Sequence, residues 1–331
     1  MAKIFLGCDP GYGGLKLYGE GGGRLTLAHV VEARETTYDF GAIGMSDTFG
    51  KSAARKIGNG IGSYWVGAGA TQYGRSPTRL DFDRLSGSTE IKALLYAGLS
   101  GCKLKWNDQI HLCVGVPLGF VAGDQAKTRV AELRGWLTRS GETDPVHRWT
   151  DNDEIKSARI THVSILAQAH AAYLDYTLNM DGEENENALS ETVGVISLGS
   201  NTVEMIALDS GELMPKYFHS ESKGVVRMLE AINREQRTKR ELAEIDLDLR
   251  SGKIERDIVA RAGASWSNEI SGVVASAWGN AQFAKVLVVG GGVRFAIPKL
   301  KQIFGTRLVL SAEPILSISR GLYKFGQTQH G

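Results

Sequence analysis

Near its amino terminus the chain reads Ile4-Phe5-Leu6-Gly7-Cys8-Asp9-Pro10-Gly11-Tyr12-Gly13-Gly14-Leu15-Lys16-Leu17-Tyr18. An apolar run enters a glycine-rich turn and a second apolar run leaves it, the pattern of two antiparallel strands. A further glycine turn from Gly19 to Gly23 and a run from Arg24 to Val31 extend this to a three-stranded meander. Tight glycine turns expose backbone N–H groups to an anion, Lys16 adds a positive charge, and Asp9 at the strand end can hold a hydrated divalent cation beside them. Together these suit a metal-bound nucleotide phosphate. No helix follows the turn and the Gly-Lys-Ser/Thr ending is missing, so neither a Rossmann fingerprint nor a P-loop describes it. Read alone, such a turn is more often a plain glycine-rich hairpin.

The same grammar returns after the midpoint. Val193 to Ser197 leads into Leu198-Gly199-Ser200-Asn201-Thr202, then Val203 to Leu208, a turn at Asp209-Ser210-Gly211, and Leu213 onward. Setting Asp9 on Ser197 also sets Gly11 on Gly199, which raises the question of internal symmetry. A third element, Val286-Leu287-Val288-Val289-Gly290-Gly291-Gly292-Val293-Arg294, is an apolar strand running into three glycines and a helix-compatible segment from Pro298 to Phe304. Bare backbone there lets a flat or charged ligand lie close to a helix start.

These three elements, in this order, resemble the phosphate-one, phosphate-two and adenosine motifs of the actin and sugar-kinase superfamily. The resemblance covers nearly the whole chain. It is strengthened by Val114-Gly115-Val116-Pro117-Leu118, similar to the strand ending in Gly-x-Pro of segregation actins. The ending Glu313-Pro314-Ile315-Leu316-Ser317-Ile318-Ser319-Arg320-Gly321-Leu322-Tyr323-Lys324-Phe325-Gly326 resembles the terminal helix of ParM-like proteins and of an archaeal actin relative. The resemblance implies an α/β fold of two lobes, a mixed sheet in each, with ATP or ADP and Mg²⁺ in the cleft between them. It implies nucleotide contacts from Asp9, Gly11, Tyr12, Gly13, Gly14 and Lys16, from Gly199, Ser200, Asn201, Thr202 and Gly224, and from Gly290, Gly291, Gly292 and Arg294. Asp9 would hold the metal through water. Gln168, in Ile165-Leu166-Ala167-Gln168-Ala169-His170, matches the residue of the interlobe helix that orients the attacking water; an amide positions water but takes no proton. His170, two residues on, reads as structural.

One departure bears on the chemistry. Where the family opens its second phosphate hairpin with Asp, this chain has Ser197, and a hydroxyl is a poor partner for a divalent cation and no base at neutral pH. Nucleotide binding is therefore expected with slow hydrolysis. Glu204 on the adjoining strand is a substitute carboxylate, although a residue at that spacing is more often solvated or salt-bridged.

The 331 residues carry 38 basic and 37 acidic side chains, so the near-zero net charge offers no global field for nucleic acid or membrane. Cys8, Cys102 and Cys113 show no paired spacing and read as buried thiols of a reducing compartment. No apolar run reaches the ~20 residues that span a bilayer, and no export signal opens the chain. The expected location is the cytoplasm.

The expected organisation is a first lobe over 1–166 with an inserted subdomain at about 19–76, a second lobe over 167–311 with a small subdomain at about 224–262, and a terminal helix, 312–331, packing back on the first. Helices are expected over Ser88–Leu99, Asp124–Thr138, Val163–Leu178, Gly224–Arg250 and Ile254–Trp278, with the polar stretch Asn179–Glu191 as a surface loop. The basic run Asn233–Leu242 is interleaved with glutamates and reads as a solvated helix face, and the scattered tryptophans read as core or subunit contacts. The implied partner is the chain itself, in a homopolymeric filament, with a DNA-binding adaptor as a second partner and no direct contact with membrane or nucleic acid. The rival function is a small-molecule kinase of the same superfamily; it is disfavoured by the chain length and by the lack of a sugar-binding motif.

Overall fold

The computed structural model of the protein describes residues 3–33, 54–60, 62–76, 81–105 and 108–329. Within these residues the strands form two mixed sheets. The first is centred on β1 (Lys3–Gly11), which pairs with β2 (Gly14–Gly19) and, through it, β3 (Gly22–Leu27) on one side. On its other side lie β7 (Gln109–Val116) and β9 (Glu154–Ala167), both parallel to it in sense. Beyond β9 the sheet continues through β8 (His147–Asp151), β5 (Arg55–Gly58), β6 (Ser63–Val66) and β4 (Val30–Glu32). The second sheet repeats the plan: β12 (Glu212–Leu213), β11 (Val203–Asp209), β10 (Thr192–Leu198), β14 (Lys285–Val289) and β15 (Leu308–Leu310), with β13 (His219–Glu221) also on β11. In each, an antiparallel meander opens the sheet and two parallel strands extend it. The internal symmetry suggested by the two hairpins is therefore topological.

Parallel strands are buried on both faces, and β14 is accordingly an unbroken apolar run from Val286 to Val289. Alternation still sorts the side chains. Ile196, Leu198, Val286 and Val288 enter one core, under α5 (Val226–Glu235), α7 (Arg256–Trp278) and α8 (Val293–Phe304). Val193, Val195, Leu287 and Val289 enter another, against α3 (Gln168–Thr177) and α9 (Ser317–Thr328). A separate core lies beneath α1 (Thr89–Ser100) and α2 (Ala126–Thr138) on the first sheet. The middle core, which also takes Cys113 of β7, joins the two sheets.

The terminal helix α9 packs on β1 and α3. Its approach to α3 is so close that a Cβ on Gly321 would collide with the carbonyl of Ala171. The pair is fixed by charge: Arg320 donates Nε and Nη2 to the two carboxylate oxygens of Asp175, each at 2.7 Å. Ser317 donates to the same carboxylate, and Lys324 Nζ lies 3.0 Å from it while donating to the Asp175 carbonyl.

Four expectations need correction. The third strand of the meander ends at Leu27, and Val30–Glu32 pairs instead with β6 at the far edge. Val163–Ala167 is strand, not helix, because it pairs in parallel with Leu112–Val116; the helix begins at Gln168. The stretch Asn179–Glu191 contains a one-turn helix, α4 (Glu186–Leu189), capped by the Asn185 side chain. The basic run is not one helix either: α5 stops at Glu235, Arg237 takes a left-handed conformation, and α6 (Leu242–Arg250) starts from a capping box between Glu241 and Glu244.

The cysteines are free thiols, with Cys8 and Cys113 buried and Cys102 half-buried. Trp149, Trp266 and Trp278 are core residues, whereas Trp106 lies outside the described residues, as do 34–53 of the expected insertion. No helix among the described residues is long and apolar enough to cross a membrane.

Candidate functional site

The two glycine hairpins meet tip to tip. Gly11 faces Gly14 at the end of β1 and β2, Leu198 faces Val203 at the end of β10 and β11, and a Cβ on Gly13 would touch the Ser200 side chain at 3.1 Å. Between them opens a cleft of about 200 Å³. Its wall gathers Asp9, Gly11, Tyr12, Gly13 and Lys16 from the first hairpin and Ser197, Gly199, Ser200, Asn201 and Thr202 from the second. Gln168, Gly290, Gly291 and Arg294, also expected from the sequence, line it as well.

Asp9 is 2% exposed and organises the floor. Its Oδ2 lies 3.1 Å from Lys16 Nζ, and its Oδ1 accepts a 2.7 Å hydrogen bond from Gln168 Nε2. Gln168 is the first residue of α3, so the β9–α3 junction delivers its amide to the end of β1. The first turn is braced from behind by Arg84, a buried guanidinium whose Nη2 donates to the carbonyls of Pro10 and Gly11 at 3.2 Å. That guanidinium also lies 5.0 Å from the Tyr12 ring centre. Burial, above all, pushes the Tyr12 hydroxyl up to about 12, and it hydrogen-bonds to the Asn201 side chain, a tie between the two hairpins.

Three expected residues stand behind the wall. A Cβ on Gly14 would meet Leu25 and Thr26 of β3, one on Gly292 would meet Trp266 at 2.5 Å, and one on Gly224 would collide with the Ser200 carbonyl. Gly224 donates its N–H to the Asn201 carbonyl at 2.9 Å, so its role is to hold the second turn. At Gly290 the backbone is left-handed, φ 101°, pressed against Leu198, whereas Gly291 opens onto the cleft with nothing within 4 Å of where a Cβ would be.

The sequence left several wall residues unmarked: Leu25, Asp246, Leu249, Arg250, Phe295, Ile315 and Ile318. They come from β3, α6, α8, the segment before α9 and the first turn of α9, and no local motif joins them. Arg84 likewise has no sequence signal. At the edge of the cleft, His29 Nε2 lies 4.0 Å from Asp246 Oδ2 and Arg75 pairs with Glu241, so α6 meets the loops around the first sheet.

Glu204 is neither solvated nor salt-bridged. It is 1% exposed, accepts a 2.9 Å bond from the Leu118 N–H through Oε1, and has no partner for Oε2 among the described residues. Burial, aided by the negative charge of Asp9 and opposed by the Leu118 bond, pushes its carboxyl up to about 8. A buried carboxyl with an orphan oxygen, close enough to Asp9 to feel its charge, is an acid awaiting a partner. No group of three or more acidic, histidine or cysteine side chains forms a metal cluster among the described residues.

Residues 7–170 match the family model of the N-terminal domain of actin-like proteins. No curated protein sequence matches the chain. Among solved structures, the fold is similar to the apo ParM protein of psk41, with TM-score 0.73, 16% identity, and coverage of 100% of this chain and 98% of that one. It is similar to ParM in a 15-stranded filament from Clostridium botulinum, with TM-score 0.74 and 18% identity over 99% of this chain and all of that one. An archaeal actin homologue in complex with ADP gives TM-score 0.72 and 18% identity, with both chains fully covered. At such identities these structures share the fold. Residues 7–170 thus match the N-terminal domain of actin-like proteins, and the chain as a whole has an actin-like fold.

Proposed function

We propose that the protein binds ATP with Mg²⁺ in this cleft, assembles into filaments when the nucleotide is bound, and hydrolyses it slowly. The observation that carries this is the convergence of two glycine turns, the Asp9–Lys16 pair and the Gln168 amide on one cleft. The turns offer N–H groups and the Ser200 and Thr202 hydroxyls to phosphate oxygens. Lys16, held by Asp9, supplies the opposing charge. Gly291, beside Arg294 and Phe295, leaves bare backbone against which a flat ring can lie. The ADP complex of a structure with the same fold supports the nucleotide, and the ParM filament supports self-assembly.

The metal fits the acids. Asp9, on the cleft wall, is the group that would hold its water shell, and a cation there would favour loss of the proton from Glu204, whose buried carboxyl feels the Asp9 charge. Mg²⁺, when bound, neutralises charge on the phosphoryl group being transferred. Gln168 orients a water without accepting its proton, and Ser197 is no base. This division of labour supports binding with a slow chemical step. We place the lobe boundary at the β9–α3 junction, residues 1–166 against 167–311 with the terminal helix returning to the first, so that a nucleotide in the cleft biases the angle between lobes. The adaptor remains a DNA-binding protein and the setting the cytoplasm, with DNA segregation or intracellular positioning as the role.

Calorimetry with Mg-ATP and pelleting with and without it test this reading. Wild-type protein binds and pellets with nucleotide, and Asp9→Ala weakens binding by tenfold or more, on the order of 1.4 kcal/mol. Unchanged affinity in a folded Asp9→Ala protein removes the site. Mg-ATP binding without assembly at high protein concentration favours the small-molecule kinase.

A further inference from the structure

The β8–β9 hairpin projects an apolar tip that serves no core. Ile155 is 81% exposed, against 48% or less for the other exposed large apolar side chains among the described residues. The tip is rigid: Asp151 faces Glu154 across a two-residue turn in which Asn152 and Asp153 are both left-handed, φ 49° and 70°. The hairpin is pinned to β5 by the Arg55–Asp151 ion pair and by the Lys56 N–H on Asn152 Oδ1 at 2.9 Å. A preorganised knob loses little entropy on docking. Its outermost charge is acidic, since Glu154 is paired with Lys156 whereas Asp153 has no ion partner among the described residues.

On the other half of the molecule, α7 and α8 frame a groove of about 800 Å³. Its floor is built of small residues one helical face apart on α7, namely Ala260, Gly263, Ala264 and Ser267, which leave room for a side chain from outside. Ser267 is 94% buried, lines the groove, and its Oγ has no hydrogen-bond partner among the described residues, so the floor holds an unused polar group. The charged side chains lining the groove, Arg256, Arg294 and Lys299, are all basic.

We propose that the Ile155 tip of one copy seats in the α7–α8 groove of the next. An apolar knob with an acidic shoulder meets an apolar floor with a basic rim, and a backbone group of the turn reaches the Ser267 hydroxyl. Because knob and groove are different surfaces, the contact is heterologous and repeats along a filament. The groove shares Leu249, Arg294 and Phe295 with the cleft wall, so a nucleotide that moves those side chains reshapes the seat. This assignment rests on the filament reading and names the contact within it.

The test is assembly of the full chain with Mg-ATP, followed by light scattering and pelleting, beside nucleotide affinity. Ile155→Asp and Arg256→Glu each raise the critical concentration about tenfold or more while leaving ATP affinity unchanged. Asp153→Lys combined with Arg256→Glu restores assembly that either change alone impairs. Mixed Ile155→Cys and Ala264→Cys proteins give an oxidised heterodimer with ATP that wild type, with its three native cysteines, does not. Assembly of wild type and Ile155→Asp at the same critical concentration, without the heterodimer, overturns the contact and leaves the filament reading standing. Failure of wild type to assemble at all removes both.

Discussion

Ser197 and Glu204 face one another across β10 and β11 in the register that sets Asp9 opposite Lys16 on β1 and β2. In the first sheet the facing pair is a carboxylate and an ammonium 3.1 Å apart. In the second it is a hydroxyl and a buried carboxyl. The acid of the second hairpin thus stands on the returning strand, where burial keeps it protonated through neutral pH.

Under the proposed function, slow hydrolysis is the expected outcome. Ser197→Asp restores an acid at the strand end and is expected to accelerate phosphate release about tenfold, a barrier change of ~1.4 kcal/mol, and to shorten filament lifetime. Glu204→Gln is expected to slow it further. Single-turnover phosphate release measures both, and a wild-type rate equal to that of Ser197→Asp, untouched by Glu204→Gln, would leave neither position with a part in the chemistry. The added acid also crowds Asp9 and Glu204, so Ser197→Asp protein should be less stable than wild type without Mg²⁺ and recover when it is added.

The pH dependence of stability reports Glu204 directly. Its carboxyl rises from an ordinary 4.5 to about 8 on folding, so between those values the folded state holds a proton that the unfolded chain has released. Stability therefore falls as pH rises through that window, by up to ~1.4 kcal/mol per pH unit from this group alone. Urea titrations of wild type and Glu204→Gln across the window should diverge, with the variant gaining relative to wild type as pH rises. Parallel curves would show that Glu204 ionises normally.

Asp175 holds two cations in a nearly closed environment: Arg320 is 14% exposed and Lys324 9%, by side chain. Asp175→Ala leaves Lys324 without its carboxylate and Arg320 with only the exposed Glu313 carboxylate among the described residues, and is expected to cost ~3–5 kcal/mol in urea denaturation. Replacing the cluster as a set, Asp175→Leu with Arg320→Met and Lys324→Met, should recover most of it. A loss under ~1 kcal/mol for Asp175→Ala would class the cluster with ordinary surface pairs.

The sequence was most legible where period and punctuation agree. Gly11 to Gly14 and Gly199 to Thr202 break apolar runs sharply, and both became hairpin tips on the cleft. It was misleading at Val163–Ala167, where an apolar strand passes into an alanine-rich helix without glycine, proline or a capping side chain. Only pairing with Leu112–Val116 decides that boundary. The long charged segment after Gly224 misled in the opposite way, because Glu241 looks like a helix-interior residue until its capping box with Glu244 is seen.

By itself, then, the sequence determined the two hairpins and the strand before the three glycines, since these are local patterns that backbone geometry enforces; the absence of Asp at 197 and the actin-like fold were legible only through the resemblance of these motifs to a known family. The tertiary structure alone decided which glycines face the cleft and which pack behind it, that Gln168 reaches Asp9, that Arg84 braces the first turn, and that Glu204 is buried. The reason is physical: a residue's type and spacing fix which face of a strand or helix it occupies, but the dielectric around it and the partner it meets depend on what folds over that face from distant parts of the chain.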